Sequence, residues 1–354
     1  MTDAGADRER RAADAARRER LDALLNDRVA PKLAELRAKQ RRSRGWALFS
    51  GVGGPVLGAL CLAVGDPWAI FLGLSALVFG PGHAAYVARR YHQAARAVVT
   101  PVVCEAIGGI THEENVRSGD VHRLRRAKLV APFSSAEIDD VFQGSHDGIA
   151  FVMMELHLQR VTRTASSRGR RGRSTRTHTI FRGLMFMIAV PRRIPVPILM
   201  RGRPRWFGTP WRLADGDLEG LQRIDIPEEA FARHLSLWTT DPEQAVQVIT
   251  PSFAAVMARL AASAGRRGID AAFDLDQFLL LLPRRGDQFR GGGLFRSVRR
   301  LRADAHRLLD EILMVHRLIE TLKGGLAQTP IRRARSVEDA RQAPRSRLRK
   351  AETA

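Results

Sequence analysis

The sequence predicts an α+β fold: an N-terminal helix, a two-helix transmembrane hairpin, and a mixed, mainly antiparallel sheet domain closed by a C-terminal helix. Three observations predict it. Leu21, Leu25, Val29, Leu33 and Leu36 recur every three or four residues in a charged segment, the period of one helical face. Residues 45–65 and 67–88 carry no charged side chain. Beyond residue 148, apolar runs and alternating stretches mark strands, and the chain then returns to a helical period.

The first 44 residues read as helix, with Pro31 expected to break or kink it. So charged a start predicts no cleavable signal peptide. Each uncharged run has the ~20 residues that an α-helix needs to cross a hydrocarbon core. Trp46 and Trp68 sit at run ends, and Tyr86 and Tyr91 mark the far end of the second run, where amphipathic rings favour the headgroup layer. Pro55 and Pro81 are tolerated in lipid-embedded helices with packed neighbours. Gly54 and Gly58 have the spacing that permits close helix approach. The link Gly65-Asp66-Pro67 is short enough to force the helices antiparallel.

Arg37, Lys39, Arg41, Arg42 and Arg44 precede the hairpin, and Arg89, Arg90 and Arg96 follow it. The turn has no Lys or Arg, so both termini are expected on the cytoplasmic side of a cell membrane. Helix is expected to continue over 89–109. Strands are predicted at 149–161 and 179–190, joined by an extended polar loop over 163–177, with further strands at 195–200, 230–238 and 270–282. Asp241-Pro242 opens a helix, and residues 242–264 read as helical, interrupted where Thr250 caps a new start at Pro251. A final helix over 295–323 ends at Gly324-Gly325, and a basic tail from 328 is expected to be disordered. The domain boundaries are thus 1–44, a charged cytoplasmic helical segment; 45–88, the transmembrane hairpin; 89–327, a cytoplasmic α+β domain; and 328–354, the tail.

Three stretches resemble an uncharacterised bacterial membrane protein family, domain of unknown function 3137. Phe181-Arg182-Gly183-Leu184-Met185-Phe186 is similar to that family's FxGLff strand. Trp238 to Ala245, running into Val248-Ile249-Thr250-Pro251-Ser252-Phe253, is similar to its tDxxEAxyiLTPxf block. The order of N-terminal helix, apolar hairpin, mixed domain and terminal helix is the third likeness. Gln244 stands where the family more often has Glu, and the basic loop at 163–177 is longer and richer in Arg. The resemblance implies the topology and no activity.

The net charge of +21 comes almost wholly from Arg and favours anionic lipid, nucleic acid or acidic protein. An Arg- and Ala-rich, Lys-poor chain also arises from coding bias, so charge by itself names no partner. Arg168, Arg170, Arg171, Arg173 and Arg176 cluster in the predicted loop. Beside a membrane they would engage anionic headgroups or an acidic protein; a solvated loop is the plain alternative. Nucleic acid is disfavoured, because the loop lacks stacking aromatics and no groove-reading motif is present.

No catalytic set, cofactor motif or metal site is legible. Cys61 and Cys104 have no ligand-spaced partner. His112, Glu113 and Glu114 are adjacent and cannot all face one ion. Asp215, Asp217 and Glu219 lack calcium-loop spacing. Gly51 to Gly54 lies inside an apolar run with no preceding strand, and so is no nucleotide loop. His83, inside the second apolar run, is the most unusual histidine, since an ionisable group in a membrane helix is a functional candidate. The expected role is a membrane-anchored binding or scaffold module at the cytoplasmic face. The alternatives are a membrane-associated enzyme assembled from scattered residues such as His146, Asp147 and His157, and an oligomeric scaffold pairing the N- and C-terminal helices.

Overall fold

The structure, a computed structural model, describes residues 3–64, 66–114, 121–165, 173–203, 218–265, 268–284 and 300–327. The chain divides into two units. The first comprises Met1–Arg117, Ile138–Glu155 and Arg284–Arg317; the second comprises Ser118–Glu137, Leu156–Pro283 and Leu318–Ala354.

The first unit begins with α1 (Asp3–Leu24), a π-helical turn over Leu25–Val29, and α2 (Leu33–Leu48). Pro31 has no N–H to donate, and the chain relaxes into the wider turn just before it, with Ala30 N–H reaching Leu25 O at 2.9 Å. The predicted break is therefore a π-turn. Leu21, Leu25, Val29 and Leu36 are buried. Pro55 acts in the same way on a second π-turn, Phe49–Gly53, from which α3 (Gly54–Val64) follows. There Ser50 Oγ donates to Trp46 O at 2.7 Å, a local bond that competes with the helical ladder.

Asp66 starts α4 (Pro67–Ile107), its carboxylate accepting from Trp68 N at 3.0 Å and Ala69 N at 3.1 Å. These would otherwise be orphan donors of the first turn. The 41 residues of α4 extend ~60 Å at 1.5 Å per residue. Its first half belongs to the hairpin. Its second half buries Tyr91, Ala95, Val99, Val103 and Ala106 on one face. Arg28 grips Glu105 with two bonds of 2.6 and 3.0 Å, tying the first π-turn to α4. After Gly108, whose φ of 78° suits glycine, β1 (Ile110–Glu114) pairs antiparallel with β2 (Ser135–His146), Ile110 opposite Gly144. The unit also takes the first half of β3 (Ile149–Ala165) and most of α9 (Arg300–Ala327).

The second unit holds α5 (Val121–Arg126), the rest of β3, β4 (Arg173–Gly202), β5 (Gln222–Ile224), α6 (Glu229–His234), β6 (Leu235–Thr239), α7 (Pro242–Val248), α8 (Pro251–Ser263) and β7 (Asp270–Pro283). Its strands run β3-β4-β6-β5, with β7 also on β4. The pairs β4–β6, β4–β7 and β5–β6 are antiparallel. Leu184 to Ile188 on β4 and Leu279 to Leu282 on β7 are buried without alternation, so both sheet faces are covered there. Phe253 on α8 packs on Phe273 and Phe278 of β7, with ring centroids 5.7 and 5.6 Å away.

Four boundaries differ from the sequence reading. Residues 179–190 and 195–200 are one strand, because Pro191, Pro195 and Pro197 fall where the β4–β7 register shifts and the ladder has no need of their missing N–H. The predicted strand 230–238 is a helical turn followed by β6. The described ends of β3 and β4 reach Ala165 and Arg173, so strand extends into the expected loop. Finally, α9 continues through Gly324 and Gly325 to Ala327.

Candidate functional site

Two helical stretches, Leu33–Val64 and Pro67–Ile107, are long and apolar enough to cross a membrane, and only 11% of the apolar window of each is buried. Phe49, Val52, Leu57, Leu60, Phe71 and Phe79 point outward. Between the two helices, what is buried is glycine: Gly58, Gly73 and Gly80. A Cβ built on Gly58 would stand 2.7 Å from Gly73 O, and one on Gly73 would stand 2.6 Å from Gly58 O. A Cβ built on Gly80 would stand closer still to Ser50 O. The helices therefore touch backbone to backbone, as the Gly54/Gly58 spacing predicts.

Where the hairpin meets the charged segments, α2 and α4 enclose an open groove of about 480 Å3. Lys39, Arg42 and Trp46 stand at i, i+3 and i+7 on α2, and His83, Tyr86 and Arg90 repeat that spacing on α4, so each trio shares one helical face. Trp46 meets His83 edge to face with centroids 6.3 Å apart. The Arg90 guanidinium lies over the Tyr86 ring, 5.8 Å from its centroid. Tyr91 lines the groove, is fully buried, and has a hydroxyl with no hydrogen-bond partner among the described residues. His83, singled out in the sequence, thus belongs to this constellation. Tyr91 was read as an interfacial ring at the end of the second apolar run; its burial and unpartnered hydroxyl were not foreseen.

Elsewhere in the first unit polar groups join α1 to α9. Asp14 accepts from Arg317 at 2.7 Å, Arg18 donates to Asp310 at 2.9 Å, and Asp22 meets His306 at 3.0 Å. Asn26 accepts from Arg302. Ascending numbers on α1 meet descending numbers on α9, an antiparallel pair within one chain. The N- and C-terminal helices considered for pairing between copies thus find each other here. His146, on β2, stacks on His316 of α9 with centroids 3.9 Å apart. Glu311 is buried, and neither carboxylate oxygen has a partner among the described residues. Its signal was present in the sequence: it lies three residues after Leu308 and four before Val315, on the apolar stripe of α9.

His112 Nε2 lies 2.9 Å from Asp140 Oδ1, while Glu113 Oε1 accepts from Gln143 Nε2 at 3.2 Å. The adjacent side chains diverge, as strand geometry requires. Asp140 also pairs with Arg96 at 3.0 Å. His157, in the second unit, meets Thr179 at 3.1 Å and Glu137 at 3.5 Å. Among the described residues, no group of three or more His, Cys, Asp or Glu is placed to hold a metal ion.

The second unit has an apolar cavity of about 270 Å3 beside the end of α5 and the β4–β7 irregularity. Lys128 and Leu275 line it, both non-glycine residues at positive φ, 55° and 57°. Lys128 Nζ is engaged by Glu219 O at 2.9 Å. In the Arg-rich cluster, Arg168, Arg170 and Arg171 fall outside the described residues, as do Asp215, Asp217 and the tail from 328. Arg173 opens β4. Arg176 is exposed, and its carbonyl accepts from Thr162 Oγ1 at 3.2 Å.

No curated protein matches the chain. One solved structure, the crystal structure of the mycobacterial trehalose monomycolate transport factor A, TtfA, aligns over 64% of this chain and 95% of its own at 9% identity and a TM-score of 0.31, too low to carry an argument. Residues 179–323 match the family described as protein of unknown function, DUF3137. The match runs from the body of β4 into α9.

Proposed function

We propose that the hairpin of residues 45–88 crosses a cell membrane and holds the mixed α+β part at the cytoplasmic face as a binding or scaffold module. The observation that carries this reading is the outward-facing apolar surface of two long helices packed through glycine. In water such a surface costs roughly 25 cal/mol per Å2; in lipid it costs nothing, and the glycine seam supplies the packing that holds helices together there. Both termini lie on the cytoplasmic side, since cations flank the outer helix ends while the turn carries only Asp66. Arg168, Arg170, Arg171, Arg173 and Arg176 add attraction for anionic headgroups or an acidic protein.

Alkaline carbonate extraction of native membranes tests the anchor: the full-length protein stays in the pellet, and its appearance in the wash overturns the reading. Tags at both ends should become protease-sensitive only when the cytoplasmic face is opened. Replacing the five arginines by serine should lower retention on anionic lipid surfaces relative to the unaltered protein. Unchanged retention removes that role from the cluster.

A further inference from the structure

The groove between α2 and α4 has the chemistry of a headgroup site. Its cations are Lys39, Arg42 and Arg90, and no carboxylate lines it. None of the three forms an ion pair among the described residues, although acidic partners engage Arg18 and Arg28 earlier in the chain. Three like charges gathered without a counter-ion repel one another, and an anion would relieve that repulsion. Arg forks match phosphate oxygens two at a time, and Lys adds a point charge.

The buried Tyr91 hydroxyl is the second, independent sign. A buried polar group without a partner is costly and calls for an explanation. Tyr91 is one of the residues that line the groove, so an oxygen of a bound group is the partner its hydroxyl could donate a hydrogen bond to.

Depth is the third. The uncharged runs begin at Gly45 and end at Ala88. At 1.5 Å per residue, Arg42 lies ~5 Å, Lys39 ~9 Å and Arg90 ~3 Å beyond those ends. The headgroup layer occupies the ~5–8 Å outside each face of the hydrocarbon core. The cations thus fall at or beside the level of lipid phosphates, while Trp46 and His83 close the groove on the hydrocarbon side. The volume lies within the roughly 300–1,000 Å3 of small-ligand sites.

We propose that this groove binds the phosphate headgroup of an anionic glycerophospholipid. Lys39, Arg42 and Arg90 engage its phosphate oxygens, the Tyr91 hydroxyl donates to one of them, and Trp46, His83 and Tyr86 flank the glycerol and the first methylenes. An ion free in solution would leave the aromatic end unused, and an acidic protein segment would have to enter the headgroup layer to reach it. The inference rests on the hairpin lying in lipid, and the test separates the two.

Full-length protein, purified in mild non-ionic detergent with mixed phosphatidylglycerol and phosphatidylcholine, is analysed for retained lipid by native mass spectrometry. Phosphatidylglycerol should be retained in preference. K39Q, R42Q and R90Q should each weaken it about fivefold, and the triple variant roughly a hundredfold. Y91F should weaken retention yet leave the lipid-free protein at least as heat-stable, because it deletes an unpaired buried hydroxyl. Equal retention of the two lipids, a triple variant that binds like the unaltered protein, or displacement of the lipid by inorganic phosphate alone overturns the proposal. If the unaltered protein leaves the membrane in carbonate, the hairpin reading itself has failed. If it stays while phosphatidylglycerol is not preferred, the groove assignment alone is wrong.

Discussion

The imidazoles of His146 and His316 lie face to face, 3.9 Å between centroids and 1° from parallel. Phe151 meets the edge of the His316 ring at 5.8 Å. Both His316 nitrogens are buried with no hydrogen-bond partner among the described residues. Burial, then the charges of His146 and Arg17, push the His316 pKa down to about 4, outweighing Asp14 and Asp147. The unfolded chain takes this proton near pH 6.5, so it binds more protons than the native state between pH 6.5 and 4. Stability from this residue is complete above pH 6.5 and is lost as pH falls towards 4. H316F, which keeps an aromatic partner for the stack, should flatten the fall of the melting midpoint across that window. An unchanged slope would show that the acid sensitivity arises elsewhere.

Glu311 has the opposite sign. Burial raises its pKa to about 7 against the pull of Arg284 and Arg307, with Asp310 adding to the rise. The native state therefore holds an extra proton between about pH 4.5 and 7. Its contribution is whole below pH 4.5 and is lost as pH rises through 7. E311Q should melt like the unaltered protein near pH 4.5 and be the more stable by up to about 3 kcal/mol at pH 8. Thermal unfolding at the two pH values checks this, and a uniform offset would contradict it.

The glycine seam predicts asymmetric tolerance. Valine at Gly58 or Gly73 would place Cβ against the facing carbonyl, 2.7 or 2.6 Å away. Each substitution should destabilise the detergent-solubilised protein by about 1–3 kcal/mol. G82A should be harmless, because nothing lies within 4 Å of that position. Melting of the three variants followed by size-exclusion chromatography tests this, and equal losses would mean that the seam is not tight.

Along the α1–α9 seam the ion pairs should differ in worth. The side chains of Arg18 and Asp310 are 45% and 56% exposed, whereas the side chain of Asp14 is 12% exposed between Arg17 and Arg317. A double-mutant cycle on the first pair should give about 0.2–1 kcal/mol. D14A should cost about 1–3 kcal/mol through lost charge-assisted bonds. Coupling in the first pair as large as the loss at Asp14 would refute the ranking.

The hairpin could be read from the sequence because charge-free runs depend on composition alone. Two caps could be read as well: Asp241 accepts from Gln244 N at 3.1 Å and Thr250 from Phe253 N at 3.4 Å. Both are short-range devices signalled by the residue before a proline. The strand expected at 230–238 failed in its first half. There Glu229, Ala232 and Arg233 favour helix, and alternation holds only from Leu235. The groove was half legible. The spacing of Lys39, Arg42 and Trp46 stood in the sequence, but their meeting with His83 and Arg90 depends on the register of two helices. That register is set by glycines whose partners lie far along the chain, Gly58 against Gly73 and Gly80 against Ser50. The His146–His316 stack joins positions far apart in the chain, and no local pattern announces it.

The interlocked glycines also act as a detent. With the carbonyls of Gly58 and Gly73 each seated in the space the other lacks, turning α3 by one residue would bring Leu57 or Ala59 into a gap with no room for a methyl group. The pair can therefore tilt or shift as one rod but cannot slide past itself.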